Sequence, residues 1–154
     1  GSEMCIRDSN ISLASMKKYM SGIVINDDKK KRNALEKGKQ VGLKPNDPAF
    51  MTVSLSGGNA QKVILARWMS TDATVMIFDE PTKGIDIGAK ADIYLLMEKM
   101  AAEGIAIIMV SSELTEVMGM SDRILVMSDG KITGELMKDE FSEESILNYT
   151  VEEN

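Results

Sequence analysis

Two stretches limit the fold more than anything else in this chain: "VMIF" at 75–78 and "IAIIMV" at 105–110, each apolar at every position. Strands of that kind are expected where helices cover both faces of a parallel sheet. Between them, residues 86–103 carry Ala89, Ile93, Leu96, Met97 and Met100 at helical spacing, and Gly104 marks the end. The order strand, helix, strand predicts a right-handed crossover and therefore an α/β domain. A length of 154 residues leaves room for one modest core, in one domain or a piece of one.

Other elements follow from local signals. Residues 28–41 read as a polar surface helix ending near Gly42, followed by a loop holding Pro45 and Pro48. Ser56 stands where the N-cap of a further helix should be, and Ala60, Val63, Ile64 and Trp68 form its expected buried stripe. A short helix is expected near 113–119. Asp129-Gly130, between two apolar segments, predicts a hairpin that closes the sheet with an antiparallel pair. Ser142, ahead of Glu143 and Glu144, opens a last helix, and 151–154 should fray. Residues 1–9, "GSEMCIRDS", carry no period and read as a non-native remnant or a disordered tail. The division expected is this tail, a helical portion at 10–70, and the remainder of an α/β core at 71–150.

Composition removes several kinds of function. The formal net charge is -6, and the basic run Lys29 to Arg32 is read as a solvated helix face, so a nucleic-acid surface is not expected. Cys5 is the single cysteine and there is no histidine, which excludes disulfide frameworks, cysteine metal clusters, serine–histidine triads and the usual zinc sites. The lone cysteine fits a reducing, cytoplasmic setting. The longest apolar run, Ile105 to Val110, is far short of the roughly 20 residues of a membrane-spanning helix. Thirteen methionines, scattered among helix and strand positions, are expected to fill core, a Met-rich surface for partner helices being the alternative reading.

In open parallel sheets, ligands gather beyond the carboxyl ends of strands. Two such ends carry polar groups here: Asp79 and Glu80 on one, Ser111 and Ser112 on the other. An acidic pair at the end of a buried strand is costly unless offset, as by a hydrated Mg²⁺ with a phosphate-bearing substrate; a turn or helix-capping pair is the alternative reading. "LSGGNAQK" at 55–62 raises a related point. A helix start without side-chain bulk presents bare N–H groups and the positive dipole end, which suits a terminal phosphate, although a tight turn into a helix would also use two glycines.

"LSGGNAQK" precedes "VMIFDEP", and "GID" at 84–86 follows it directly. This order closely resembles ATP-binding cassette (ABC) ATPases. The resemblance implies that Leu55 to Asn59 form the signature, Val75 to Glu80 the Walker-B strand, and Gly84 to Asp86 the D-loop. "NISLAS", "DEPTKGIDIGAKADIY" and "SSELTEVMGMSDRILVM" are further similar to the second cassette of monosaccharide importers of the ribose and galactose type, and the similarity runs from about Asn10 to the end. It implies a partial P-loop NTPase domain: a parallel sheet with flanking helices, an antiparallel C-terminal hairpin and a helical signature subdomain. By resemblance, ATP is sandwiched between two cassettes. Ser56, Gly57 and Gly58, with Gln61 and Asp86, would contact nucleotide, the first three gripping the γ-phosphate of an ATP held by the partner half. Asp79 would hold the water shell of Mg²⁺, and Glu80, with Ser112 at the switch position, would act on the attacking water. Implied partners are a first cassette on the same or a second chain, membrane permease subunits and, indirectly, an extracellular or periplasmic sugar-binding protein, with the subunit peripheral on the cytoplasmic face.

Three departures from the family pattern shape the expectation. G-x-x-x-x-G-K-[ST] is absent: Gly38-Lys39 has Asn33 in place of the first glycine and Gln40 in place of Ser or Thr. A P-loop strand and the glutamine loop are expected upstream, so the chain by itself should be inactive, marginally stable and prone to aggregate. Ser112 replaces the switch histidine, and a hydroxyl can donate one hydrogen bond but carries no charge near neutral pH. Ala60 stands where the family's run has glutamine. Competing readings are a non-catalytic interaction, regulatory or truncated module, and an ABC ATPase of ribosomes or DNA repair, which would be expected to carry basic linkers or coiled-coil insertions.

Overall fold

A computed structural model describes residues 6–150. These divide into two compact units, 6–76 with Pro81–Ile108, and Ile77–Glu80 with 109–150. The expected boundary at 70/71 differs from this: β3 (Val75–Asp79) and β4 (Ala106–Val110) each begin in the first unit and end in the second.

The first unit is built on helices. α1 (Arg7–Ser12) packs against α2 (Asp27–Gln40) and α3 (Gly57–Met69), joined by a 3-10 segment Leu13–Tyr19 and the short antiparallel pair β1 (Met20–Ser21) and β2 (Val24–Ile25). Asn26 caps α2 by accepting from the Lys29 amide at 2.9 Å, and Asp27 and Asp28 lie in its first turn against the dipole. Ile11, Ala34, Leu43, Val63, Leu65 and Ala66 are buried here. α4 (Ile87–Ala102) contributes Ile93, Leu96, Met97 and Met100, as its spacing predicts, and ends before Gly104, whose φ of 92° requires the left-handed region. The Lys29 to Arg32 run does lie on a largely solvated face, with Lys30 turned to Asp27 at 3.1 Å and Asp8 at 3.7 Å.

Residues 6–9, expected within a tail, are folded instead. Ile6 forms an isolated bridge with Met51, and Arg7 and Asp8 are buried at the start of α1. The Arg7 guanidinium donates to the Pro45 carbonyl and lies 5.1 Å from the centre of the Phe50 ring. Burial pushes it below the ordinary arginine range, with Asp47 pulling the other way. No period announced this segment, because its order comes from contacts with residues about forty positions away. Residues 1–5 and 151–154, the latter expected to fray, lie outside the described residues.

The α3 stripe also needs correction. Val63 is buried as predicted, but Ile64 and Trp68 are 41% and 51% exposed, and the buried face runs through Gly58, Lys62, Leu65 and Ala66. Apolar side chains occur on more than one side of this helix, and packing against α1, α2 and α4 selects the other face. The strands differ as well. Backbone bonds from Ala106 N to Thr74 O (2.9 Å) and from Glu80 N to Val110 O (2.8 Å) pair start with start and end with end, so β3 and β4 run parallel. Their faces are not both covered: Met76 and Phe78 are buried, whereas Val75 and Ile77 are 53% and 69% exposed. Met76, Met97 and Met100 fill core, but Met20, Met51, Met127 and Met137 are exposed.

In the second unit, α5 (Leu114–Met120) leads into β5 (Arg123–Ser128) and β6 (Lys131–Met137), and α6 (Glu143–Asn148) follows, capped by Ser142, which accepts from the Ser145 amide at 3.0 Å. Asp129 and Gly130 both have positive φ, 47° and 76°, the two-residue turn that the strands' twist favours. β5 and β6 form a sheet of their own, however, and do not extend the β3–β4 pair as expected. Ile124, Val126, Leu136 and Ile146 make the core, with Leu114, Val117, Met118 and Phe141 against it.

Gly134 faces the Tyr149 ring so closely that a Cβ there would lie 2.2 Å from Cγ. Gly134→Ala is expected to cost about 1–3 kcal/mol in urea unfolding, with most of the loss recovered when Tyr149→Ala is added. Equal losses in the single and double variants would show that the ring is not the obstacle.

Candidate functional site

The candidate residues fall into two groups, each within one unit. The first is the start of α3. Ser56 occupies the N-cap position, but its hydroxyl makes no capping bond; it accepts instead from the Asn59 side-chain amide at 3.2 Å. The first intrahelical bond runs from the Ala60 amide to the Ser56 carbonyl, 2.8 Å, which leaves the amides of Gly57, Gly58 and Asn59 outside the helical ladder. Ser56 and Gly57 are exposed. This end of the thirteen-residue helix presents donors and the positive dipole end to solvent.

The two glycines have different surroundings. A Cβ at Gly57 would meet nothing nearer than Ile85 at 4.0 Å, whereas at Gly58 it would lie 2.7 Å from the Ala89 Cβ. Gly58 is buried because α3 approaches α4 there. The sequence reading treated both glycines as phosphate contacts; packing needs the second regardless of any ligand. Gln61 lies half-buried on α3.

Asp86 caps α4, its carboxylate accepting from the Ala89 amide at 2.9 Å. Gly84, with φ of 74°, turns the backbone just before it. Sequence reasoning missed a further tie. Lys62, only 9% exposed, pairs with Asp92 of α4 at 2.7 Å and reaches toward the Gly42 carbonyl. The two line a cavity of about 430 Å³ with Lys44, Asn59, Leu96 and Lys99. Asp92 carries no local signal, because its partner is thirty residues earlier.

The second group lies at the carboxyl ends of β3 and β4. Asp79 is exposed and Glu80 half-buried. Glu80 has φ of 47°, a left-handed conformation that costs a non-glycine residue about 1 kcal/mol or more. Two bonds hold it there: its amide donates to the Val110 carbonyl, and its Oε1 accepts from the Ser112 amide at 3.1 Å. The structure thus brings Glu80 and Ser112 together through the serine backbone. Glu80 precedes the buried Pro81. Among the described residues no three acidic, histidine or cysteine side chains converge as a metal cage. The exposed Asp79 carboxylate still fits the manner in which Mg²⁺ is held, through its waters and substrate phosphates.

A family model described as ABC transporter matches residues 3–83, a span that includes the α3 start and the acidic strand end. The chain belongs to the ABC transporter family. Its fold is that of ABC cassettes: MJ1267, an ATP-binding cassette of an ABC transporter, superimposes with a TM-score of 0.77 at 20% identity, covering 94% of this chain and 62% of that one. MJ0796, solved in a dimeric post-hydrolysis state with ADP and Pi, gives 0.75 at 23% identity, covering 90% and 59%. Similar ABC proteins include the ribose import ATP-binding protein RbsA of Clostridium perfringens, 49% identical over 144 residues, 92% of this chain and 28% of the relative. The RbsA of Halalkalibacterium halodurans is 44% identical over 147 residues, 96% and 29%. The xylose import ATP-binding protein XylG of Photobacterium profundum is 47% identical over 144 residues, 94% and 28%. This ABC chain therefore spans less than a third of the length of these relatives. None of its described helices is long and apolar enough to cross a membrane.

Proposed function

We propose that this chain is the C-terminal portion of the second cassette of an ATPase subunit that energises monosaccharide import. The observation that carries the proposal is the exposed, uncapped start of α3 at Ser56-Gly57, in a chain whose relatives are named as ribose and xylose import ATP-binding proteins. In this reading the free amides at 57–59 and the Ser56 hydroxyl receive the γ-phosphate of an ATP bound by a first cassette, on the same or a second chain. Gln61 lies behind that contact, and Asp86 orders the D-loop by capping α4.

Glu80 orients and polarises the attacking water, held in place by the Ser112 amide. Asp79 would hold Mg²⁺ through its water shell; the ion would neutralise charge on the transferring phosphate. Permease subunits and an external sugar-binding protein complete the importer, with this subunit on the cytoplasmic face. Which sugar crosses is decided by those partners.

A second reading, a non-catalytic ABC module, is favoured by one observation: no G-x-x-x-x-G-K-[ST] occurs in the chain. The P-loop supplies most phosphate contacts. The chain alone is accordingly expected neither to release phosphate from ATP nor to rise in Tm with millimolar Mg-ATP; steady phosphate release from pure material would refute this. Reading the coding sequence upstream of Asn10 separates the two proposals, since an in-frame P-loop and preceding cassette support the importer and a start codon there supports the module.

A further inference from the structure

Ser111 and Glu116 form a bonded pair that the functional reading leaves unused. Glu116, in α5, is 4% exposed, so its carboxylate sits where an uncompensated charge is costly. The Ser111 hydroxyl donates to its Oε2. That direction follows from the other bond on the same oxygen: the Glu113 amide donates to Ser111 Oγ at 3.0 Å, so the hydroxyl proton is available for Glu116. One bond therefore closes the segment from Ser111 to Glu113 on itself, and the other ties it to Glu116 in the first turn of α5. The amide within this pinned segment is that of Ser112, and it donates to Glu80 Oε1.

We infer that Ser111 and Glu116 are positioning residues for Glu80, fixing the turn whose Ser112 amide orients that carboxylate. The role attributed to Glu80 rests on the ATPase reading above; the clamp on its rotamer does not. Glu80 also needs such support, because its left-handed backbone offers it no regular ladder neighbour beyond the bond to Val110. A misplacement of about 1 Å in a reacting group lowers rates by up to about a hundredfold. Loosening this turn should act on turnover and leave the affinity for nucleotide nearly unchanged.

The test uses the full-length protein carrying this chain, with the first cassette's catalytic carboxylate replaced so that turnover reports this half. Ser111→Ala and Glu116→Ala are expected to lower kcat by about ten- to a hundredfold with KM for ATP within about twofold. Ser111→Thr and Glu116→Gln, which keep a hydroxyl and an acceptor oxygen, should restore it. Amide hydrogen exchange at Ser112 is read in parallel and should quicken at least about tenfold in the alanine variants only. If Glu116→Ala fails to fold, Ser111→Ala still decides. Unchanged exchange and kcat overturn the inference, as does a loss of kcat that tracks Tm and is not rescued by threonine. If the parent protein hydrolyses no ATP in this half, the catalytic reading of the half falls, and the exchange result alone upholds or overturns the clamp.

Discussion

Gly58→Ala is expected to destabilise the protein by about 1–3 kcal/mol, and adding Ala89→Gly should return most of that loss. The new methyl would lie 2.7 Å from the Ala89 Cβ, a separation that neither side chain can relieve by rotating, since both end at Cβ. Helix α3 must then move away from α4, and the ion pair between the buried Lys62 and the exposed Asp92, which joins the same two helices, opposes that shift. Recovery will be incomplete, because glycine inside α4 itself costs about 1 kcal/mol. Gly57→Ala gives the contrast: with Ile85 at 4.0 Å there is room, so Tm should change little. Under the importer reading it should nonetheless lower ATP turnover, by placing a methyl beside the amides offered to the γ-phosphate. Urea unfolding of the three variants checks the packing claim; equal destabilisation by Gly57→Ala and Gly58→Ala would refute it.

The second large effect concerns Glu80. Under the importer reading, Glu80→Gln is expected to lower the total ATP turnover of the two-cassette protein, most of which the first cassette would supply, by less than about tenfold, while the same change in the first cassette lowers it by about 10²–10⁴-fold. The difference comes from Ser112, which offers Glu80 a backbone amide and a neutral hydroxyl where a histidine could add charge. This half would then hydrolyse slowly at its own nucleotide, while Ser56 and Gly57 serve the other. Single-turnover phosphate release, with one cassette disabled at a time, measures the two separately. Equal losses would remove the asymmetry.

Much of this was legible in sequence because the signals are local. Asp129-Gly130 dictated its turn, Ser142 stands at a helix start where its oxygen caps, and the α4 pattern picked out Ile93, Leu96, Met97 and Met100, which are buried. What escaped depends on partners distant in sequence. Trp68 and Ile64 looked like core, but periodicity reports the width of an apolar stripe and not which neighbour covers it. Val75 and Ile77 gave the same apolar signal as Met76 and Phe78, yet their face is open among the described residues. At the site, Ser56 was placed correctly and its hydroxyl bond was not, because Asn59 competes for the oxygen. The different surroundings of Gly57 and Gly58 depend on Ala89, thirty-one positions beyond Gly58.

The turn at Asp129-Gly130 asks two successive residues for a backbone handedness that only glycine adopts freely. For Asp129 the preferred stereochemistry is the opposite of the one the ribosome supplies. A semisynthetic chain with the D-enantiomer at position 129 should therefore hold this hairpin more firmly than the natural chain, so that mirror-image chemistry could strengthen the second unit at an exposed point without altering a single core contact.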